Sequence, residues 1–368
     1  MELHFTTDYT AILEQVQQID PIQYGHTRNY AQGAVTYLSP YISRGVISTK
    51  QVLERVLAKG YSIPEIESFV KELCWRDYFQ RVAQIINVSA DIKQAQTPVS
   101  NYEIRLGVLN ASTGIEGIDT AIHQLYQSGY THNHCRMYAA SLVCNSAQSH
   151  WLLPARWMYY HLLDGDWASN ACSWQWVAGA NSSKKYYANQ ENINRYTNTQ
   201  QHQTYLDKSY ETLEKMETPP VLSDTTPIML ETTLPESNLM QLDAHLPTFI
   251  YNYYNLDPLW HKDEPGNRIL LLEPDFFTQY PVSKNCMNFV LSLSKNIPDI
   301  QLYVGSFKSL TANHHINHIY FKEHPLNIGY SGTEESRDWI AEEITGYYPS
   351  FFAYWKKVAN HLSNKYIQ

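Results

Sequence analysis

The sequence predicts a mainly α-helical protein, in which a large helical domain is followed by a small C-terminal α/β domain of Rossmann-like type. Apolar residues recur at helical spacing through most of residues 1–216. After residue 266, short apolar runs alternate with helical stretches, which is typical of a small parallel sheet. We therefore expect a helical domain at 1–216, a Pro- and Thr-rich linker at 217–265, and an α/β domain at 266–368.

Capping signals locate several helices in the first part. Ser48 and Gln51 form a capping box, which predicts a helix that stops at Gly60. Ser39 followed by Pro40 predicts an N-cap with proline at the first helical position. Further helical patterns occupy 64–86, 115–128 and 134–163. No alternating strand pattern of useful length is found in this part.

The C-terminal part is predicted to alternate between strands and helices. Strands are predicted at 268–273, 301–304 and 316–321, and helices at 282–295, 334–345 and 350–362. This order favours a parallel sheet with helical connections.

Composition excludes some classes of protein. The chain has 368 residues, of which 43% are hydrophobic, so it can bury a real core. No apolar run is long enough to span a membrane, and the N-terminus lacks the pattern of a secretory signal. Five scattered cysteines without a CxxC pair predict reduced thiols, and with them a cytoplasmic location.

The charge balance is acidic and uneven along the chain. The formal net charge is −9, with 17 Lys and Arg against 19 Asp and Glu in residues 1–216, and 10 against 17 in the remainder. A dedicated binder of duplex DNA usually has a basic balance, which this chain lacks. A local basic patch stays compatible with these totals.

Two segments in the first half combine residues that suit a ligand. Thr36 and Ser39 lie at a predicted helix start, where free N–H groups favour a phosphate, although an ordinary helix cap explains them equally. Glu72, Trp75 and Arg76 share one helix face, which suits either a cavity wall or a surface ion pair beside a half-buried indole.

Two further segments follow. Asn133, Arg136 and Met137 also share a helix face, and the neighbouring His132 and His134 point in different directions, so we predict no metal site there. The last segment combines two carboxylates, an amide and two indoles, which suits a ligand pocket better than a core. Its residues are Asp164, Asp166, Asn170, Trp174 and Trp176.

These segments together resemble the photolyase and cryptochrome flavoprotein family over roughly residues 22–200. The ordered matches are Tyr24–Ser48, Glu72-Leu-x-Trp-Arg, Thr113-Gly114 with Asp119, His132-Asn133-x-x-Arg136-Met137 and Asn170-x-x-x-Trp174-Gln-Trp176. The residues Lys185–Asn194 resemble a photolyase-related bacterial subgroup. Typical members carry an antenna domain before the FAD domain, whereas few residues precede Tyr24 in this sequence. We therefore expect a subgroup without the N-terminal antenna domain. Because the later α/β segment has few strands, we also expect no antenna pigment.

The resemblance implies FAD as the cofactor. It implies that the residues around the cofactor are Tyr24, Thr36, Ser39, Arg76, Arg136, Asp164, Asp166, Asn170 and Trp174. Arg136 and Asp164 would form an ion pair beside the flavin ring, and Asn170 would face flavin N5. Trp174 and Trp151 would pass electrons to the photoexcited flavin. The third tryptophan of that chain is missing, and Tyr102 is the aromatic residue nearest to its expected place.

The resemblance also implies a deoxyribodipyrimidine photolyase-type lyase that repairs pyrimidine dimers in damaged DNA by electron transfer under blue light. The catalytic residues would be Glu72, Trp75, Asn133, Met137 and Trp176. His134 stands where the family has arginine, which removes a permanent charge. The alternative is a cryptochrome-like photoreceptor or flavin redox protein without repair activity, which would signal through a protein partner. Neither function requires a membrane.

Overall fold

The computed structural model describes residues 3–366 of the chain. The helices of the first part are α1 (Tyr9–Gln17), α2 (Pro21–Thr27), α3 (Ser39–Ser43), α4 (Thr49–Leu57), α5 (Glu67–Ile85), α6 (Leu106–Leu109), α7 (Glu116–Ser128), α8 (Asn133–Ser141), α9 (Leu152–His161), α10 (Trp167–Ala178), α11 (Gln190–Thr197) and α12 (Tyr210–Glu214). A π-helical turn, Leu142–Ser146, follows α8, and a 3₁₀ turn covers Pro220–Leu222.

Strands concentrate in the second part. The strands are β1 (Ile104–Arg105), β2 (Thr225–Thr226), β3 (Pro247–Tyr251), β4 (Asn267–Leu272), β5 (Gln301–Val304), β6 (Asn317–Lys322) and β7 (Thr333–Glu335). The later helices are α13 (Pro274–Gln279), α14 (Lys284–Ser294), α15 (Phe307–Asn313) and α16 (Phe351–Lys365). The predicted combination of a helical part with a later α/β part is confirmed.

The chain forms two compact units, each discontinuous in sequence. Unit 1 is built from Gln23–Val35 and Ile86–Leu230. Unit 2 is built from Phe5–Ile22, Thr36–Ile85 and the chain from Glu231 onward. The break at Leu230 lies inside the predicted linker, but unit 2 also includes early helices. The predicted division at 1–216, 217–265 and 266–368 stays a prediction.

Unit 2 contains a five-stranded parallel sheet with the strand order β5-β4-β3-β6-β7. The chain moves from β3 to β4 and β5 on one side and then returns to β6 on the other. Ile250 pairs with Ile269 on one side and with Phe321 on the other, and these side chains form a core with helix α15. The parallel sheet is as predicted, although β3 lies in the segment predicted as linker.

Local signals explain most of the early helices. Ser48 caps α4 by accepting from the Gln51 N–H at 2.9 Å, and the Gln51 side chain returns the bond, as a capping box requires. The prediction at Ser39 was wrong in detail, because Leu38 occupies the cap position and Ser39 is the first helical residue. The pattern at 134–163 contains two helices rather than one, separated by the π turn and a segment paired with Asn101.

The helix predicted at 334–345 is wrong. Thr333–Glu335 pairs with β6 as the edge strand of the sheet, and residues 336–349 contain no α-helix. Trp339 and Ile340 are buried although they are adjacent in the sequence. Their positions are set instead by long-range bonds, from the Trp339 indole to Glu323 at 2.5 Å and from the Ile340 N–H to Asp77 at 3.0 Å.

Candidate functional site

Helix α8 presents a buried ion pair in unit 1. The Arg136 Nη2 group lies 2.9 Å from Asp164 Oδ2, and the Asp164 side chain is only 5% exposed. Arg136 Nε also donates to the Thr131 carbonyl at 2.8 Å. Burial opposes the charge on Arg136, but attraction to Asp164 outweighs it and raises the Arg136 pKa. The site therefore contains a charged guanidinium that is held in place by a carboxyl group and a backbone carbonyl.

Two histidines shape the start of α8. His132 caps the helix, since its Nδ1 accepts from the His134 N–H at 3.2 Å while its Nε2 lies 3.0 Å from the Arg28 carbonyl. Burial lowers the pKa of both rings to about 4. Electrostatic repulsion by His134 lowers the pKa of His132 further, and repulsion by Arg28 has the same effect on His134. Both rings are therefore neutral at pH 7, so His134 supplies no cation at the start of α8.

Helix α10 carries the last predicted segment. Asp166 caps the helix by accepting from the Ser169 N–H at 2.8 Å. Asn170 Nδ2 donates to the Ala155 carbonyl on α9 at 2.8 Å. Trp174, one turn after Asn170, is 2% exposed, whereas Trp176 is 43% exposed and contacts Tyr186. The two indoles differ in exposure because residues two positions apart on a helix point to different faces.

Two buried hydroxyl groups, on Thr131 just before α8 and on Ser169 within α10, bear on the binding of a ligand. Within residues 3–366, Thr131 Oγ1 and Ser169 Oγ are buried without a hydrogen-bond partner. Thr131 is 2% exposed and lies next to Arg136, and Ser169 directly precedes Asn170. Buried hydroxyls are normally satisfied, so these two favour a polar ligand at the predicted cofactor position. The residues present in unit 1 thus fit a flavin.

Asn133 and Met137 lie one turn apart on α8. Asn133 is exposed, and its Nδ2 lies 3.9 Å from Met137 Sδ. Both side chains therefore border solvent on the same helix face, as their spacing predicts.

The remaining predicted site residues lie in unit 2, apart from Tyr24 and Trp151 in unit 1. Thr36 Oγ1 accepts from the Leu38 N–H at 3.5 Å, and Arg76 donates to Ser43 Oγ. Trp75 stacks face to face on Phe351 of α16, with ring centroids 3.8 Å apart and an interplanar angle of 11°. Glu72 precedes Trp75 by one turn on α5. One face of the Trp75 indole is thus covered by the protein itself.

Unit 2 also has a cleft at the carboxyl ends of β3 and β6. It is lined by residues that include Tyr254, Asn255 and Asp257 after β3, and Lys322 and His324 at the end of β6. Lys322 pairs with Asp257 at 2.8 Å, and Tyr254 stacks on His324 at 4.0 Å. Ligands of open parallel sheets bind at such strand ends. The expected lack of an antenna pigment stays a prediction.

Several contacts that shape the site were not predicted from the sequence. The Trp151 indole N–H donates to Asp91 Oδ1 at 2.6 Å, and the His150 ring stacks on Tyr102 and makes a tilted contact with Trp151. Thr131, Ser169 and the cap of His132 were also missed. Only the cap had a local signal, because a polar residue directly precedes α8.

Comparison with known proteins identifies the region that contains these residues. Residues 69–233 match the family model described as the FAD binding domain of DNA photolyase. This stretch of the chain is similar to that domain. The resemblance predicted from the ordered motifs is therefore confirmed for this photolyase-type region. The segment Tyr24–Ser48 and the α/β region lie outside the match.

Relatives and solved structures match part of the chain. The deoxyribodipyrimidine photo-lyases of Vibrio cholerae and Streptomyces griseus are 29% and 32% identical over 176 and 172 residues, which is 45% and 44% of this chain but only 37% and 35% of theirs. The chain thus spans about a third of these relatives. A Synechocystis cryptochrome structure is 24% identical with a TM-score of 0.48, covering 53% of this chain and 44% of that one. The structure of an Agrobacterium tumefaciens class III photolyase is 24% identical with a TM-score of 0.41. It covers 51% of this chain and 44% of that one.

Within residues 3–366, no group of three or more His, Cys, Asp or Glu side chains is placed to hold a metal ion. In the same residues, no helix is both long and apolar enough to cross a membrane. All five cysteines are buried free thiols.

Proposed function

We propose that the photolyase-type region binds FAD and uses it for light-driven electron transfer. The observation that carries this proposal is the buried Arg136–Asp164 pair, inside the region that matches an FAD-binding domain. Two buried hydroxyls of the same region, on Thr131 and Ser169, have no hydrogen-bond partner within residues 3–366 and add to it. When bound, FAD supplies light absorption and one-electron chemistry. The residues proposed to hold it are Tyr24, Thr36, Ser39, Arg76, Arg136, Asp164, Asp166, Asn170 and Trp174.

The protein groups have distinct tasks in this proposal. Arg136 and Asp164 set a fixed electrostatic field that tunes the flavin potential. Asn170 Nδ2 donates to the Ala155 carbonyl at 2.8 Å. Because a carboxamide has a second N–H and an acceptor oxygen, Asn170 would serve either protonation state of flavin N5. Trp174 and Trp151 donate electrons as oxidisable indoles within the buried interior.

For the substrate, we propose pyrimidine dimers in damaged DNA and a lyase of the deoxyribodipyrimidine photolyase type. Support comes from the relatives, which carry that name, and from the exposed indole of Trp176 on α10. Extruding a damaged base costs little because its stacking is already disturbed. Trp176 would stack on the extruded dimer, with Glu72, Trp75, Asn133 and Met137 as further contacts. The cytoplasmic location stays a prediction.

One observation favours the alternative, a cryptochrome-like photoreceptor or flavin redox protein that acts through a protein partner. Phe351 covers a face of Trp75 at 3.8 Å, which is the separation at which a base would stack. A dimer could use that face only after Phe351 had moved away. A signalling or redox protein needs no such rearrangement.

The test is made on the purified full-length protein. An absorption spectrum in the dark is followed by blue light with a thiol reductant and oligothymidine that contains dimers, in single- and double-stranded form. A flavin spectrum with loss of dimers supports the repair function. A flavin that is photoreduced while dimers persist supports the alternative. Absence of flavin after incubation with FAD refutes the proposal.

The matched control for this test uses Trp176, which is exposed. Trp176→Ala should keep the flavin spectrum and lose dimer repair. Trp174→Phe should keep dimer binding and slow photoreduction. If both variants behave like wild type, the assigned roles are wrong.

A further inference from the structure

Five aromatic rings of unit 1 form a cluster that reaches the solvent. The centroid of the Tyr196 ring lies 5.1 Å from that of Tyr30 and 5.3 Å from that of His134. The Trp176 and Tyr186 rings lie 5.7 Å apart. Trp176 is 43% exposed and Tyr30 is 37% exposed. We call these five residues the aromatic cluster. Exposed rings that are grouped, unlike scattered ones, mark an interaction surface.

The buried Tyr138 joins the two halves of the aromatic cluster. Its ring contacts that of His134 at 6.1 Å. Burial raises the pKa of the Tyr138 phenol, and Tyr186 and Tyr196 lie close enough to raise it further. The two halves therefore flank one buried ring and belong to the same part of unit 1.

Hydrogen bonds hold the aromatic cluster in place. The Tyr138 hydroxyl donates to Asn192 Oδ1 at 2.9 Å, which fixes α11 against α8. The Ala31 N–H donates to the Tyr196 carbonyl at 2.8 Å, which fixes the loop that carries Tyr30 against the end of α11. Because the rings are positioned by the fold, a ligand needs to order few side chains when it binds.

Positive charge collects around the aromatic cluster although the whole chain is acidic. Residues 23–35 contain one arginine and no carboxylate. Residues 181–197 contain three cationic side chains and one carboxylate. The cations of the two segments are Arg28, Lys184, Lys185 and Arg195, and the carboxylate is Glu191. This is the kind of local basic patch with which the overall charge balance is compatible.

Two of these cations lie directly beside rings of the aromatic cluster. Arg28 is close enough to His134 to repel its protonated form. The Arg195 guanidinium donates a hydrogen bond to the Tyr30 side chain and lies 5.4 Å from the centroid of the Tyr196 ring. Rings that could accept bases are thus accompanied by groups that could contact phosphates.

Many rings with few cations favour a single strand over a duplex. Duplex DNA is bound mainly through its phosphates, which requires many cationic side chains. Its bases are stacked on their neighbours, so exposed rings such as Tyr30 and Trp176 cannot reach their faces. In a single strand the base faces are accessible, and aromatic side chains stack on them whatever the sequence.

We propose that the aromatic cluster binds single-stranded DNA by base stacking, without sequence preference, and holds the strand beside the lesion. Tyr30 and Trp176 present the faces on which bases stack, and Arg28, Lys184 and Arg195 contact phosphates. The placement beside the lesion rests on the proposed function, in which Trp176 stacks on the dimer. The binding of an undamaged strand needs neither light nor a dimer.

The test uses the purified full-length protein in the dark. Fluorescence anisotropy measures its binding to a labelled, undamaged oligothymidine of about twenty nucleotides, which is longer than one binding site. We expect this strand to bind on the order of tenfold more tightly than the same strand annealed to oligodeoxyadenosine. A strand of abasic deoxyribose phosphates should also bind more weakly, because it has no bases to stack. Equal affinity for the duplex or for the abasic strand overturns the inference.

Variants at exposed positions test the rings themselves. Tyr30→Ala should weaken binding of the single strand by about 5- to 150-fold, the effect of losing one stacked base. Tyr30→Phe keeps the ring and should bind like wild type. Tyr102→Ala is the matched control, since Tyr102 is 70% exposed in the same unit and lies outside the aromatic cluster. Wild-type affinity in Tyr30→Ala, or an equal loss in Tyr102→Ala, refutes the role of the aromatic cluster.

Salt dependence tests the phosphate contacts. Three cations on a single strand predict that the logarithm of the affinity falls with the logarithm of the salt concentration with a slope of about −2. Arg195→Gln should make this slope shallower by about 0.7, the contribution of one phosphate. A slope that stays unchanged in Arg195→Gln contradicts the proposed phosphate contact of this side chain.

The proposed function and this inference can fail separately. Repair of dimers in duplex DNA by a protein that does not bind the undamaged single strand supports the function and refutes the role of the aromatic cluster. Binding of the single strand by a protein that takes up no FAD refutes the function and supports the role of the aromatic cluster.

Discussion

Removing one charge from the Arg136–Asp164 pair tests the central feature of the candidate site. Asp164→Asn leaves the guanidinium buried, with its Nε still bonded to the Thr131 carbonyl at 2.8 Å. Losing one partner of a buried pair costs about 3–5 kcal/mol of the free energy of unfolding. Because Arg136 keeps its bond to Thr131 and its side chain is 20% exposed, we expect a cost near the lower end, about 3 kcal/mol. With a urea slope of about 2 kcal/mol/M, the unfolding midpoint should fall by about 1.5 M.

A double-mutant cycle measures the pair itself. Urea unfolding followed by tryptophan fluorescence is compared for wild type, Asp164→Asn, Arg136→Met and the double variant. The double variant should be less destabilised than the sum of the single changes, with a coupling of about 1–3 kcal/mol. Glu211→Gln is the matched control, because the Lys215–Glu211 pair has the same 2.9 Å separation at 74% and 81% exposure and should contribute at most about 0.5 kcal/mol. Additive single changes within about 0.5 kcal/mol would refute the reasoning.

Three further changes test other parts of the structure. Gly33→Ala would place a Cβ 2.0 Å from the Thr27 carbonyl oxygen, so the unfolding free energy should fall by about 1–3 kcal/mol, as urea unfolding would show. Asn170→Asp replaces the donor to the Ala155 carbonyl with a carboxylate, so it should shift the stable flavin redox state; unchanged spectra during photoreduction would contradict this. Burial lowers the His134 pKa from 6.5 to about 4. Between these two pH values the unfolded chain is protonated at His134 and the folded chain is not, so a falling pH favours unfolding. The free energy of unfolding should therefore fall between pH 6.5 and 4, and it should fall less in His134→Gln than in wild type. Urea unfolding at about pH 7 and about pH 5 measures this loss for both proteins, and an equal loss in the two would count against the reasoning.

Short-range signals gave the parts of the fold that were predicted correctly. The capping box of Ser48 and Gln51 is a contact over three residues, and β5 begins and ends where its apolar run predicts. The error at 334–345 has a long-range cause. That segment has helical spacing of apolar residues, yet its start pairs with β6 and its Ile340 N–H is bonded to the buried Asp77 carboxylate. Propensity yields to such tertiary contacts.

The candidate site shows the same limit. Helical spacing correctly placed Asn133 and Met137 on one face of α8. Spacing could not pair Arg136 with Asp164, and that pair came only from the resemblance to a known family. No local pattern links Asp91 to Trp151, which lie 60 residues apart. Contacts between distant segments depend on how the helices pack, which a single sequence does not display.

Trp75 and Trp176 should differ in a dimer-binding assay, because only one of them is available without rearrangement. Phe351 is 2% exposed, and withdrawing it from Trp75 exposes a ring whose burial contributes about 1.5–3 kcal/mol. Stacking of one base on Trp75 contributes only about 1–3 kcal/mol of binding free energy. Replacing Phe351 by a base therefore does not make binding more favourable. Trp176 is already 43% exposed and incurs no such cost. If the protein binds dimers, Trp176→Ala should therefore weaken binding by about 1–3 kcal/mol, whereas Trp75→Phe should leave the affinity close to wild type. The reverse order in a titration with dimer-containing oligothymidine would show that α16 leaves Trp75 when DNA binds.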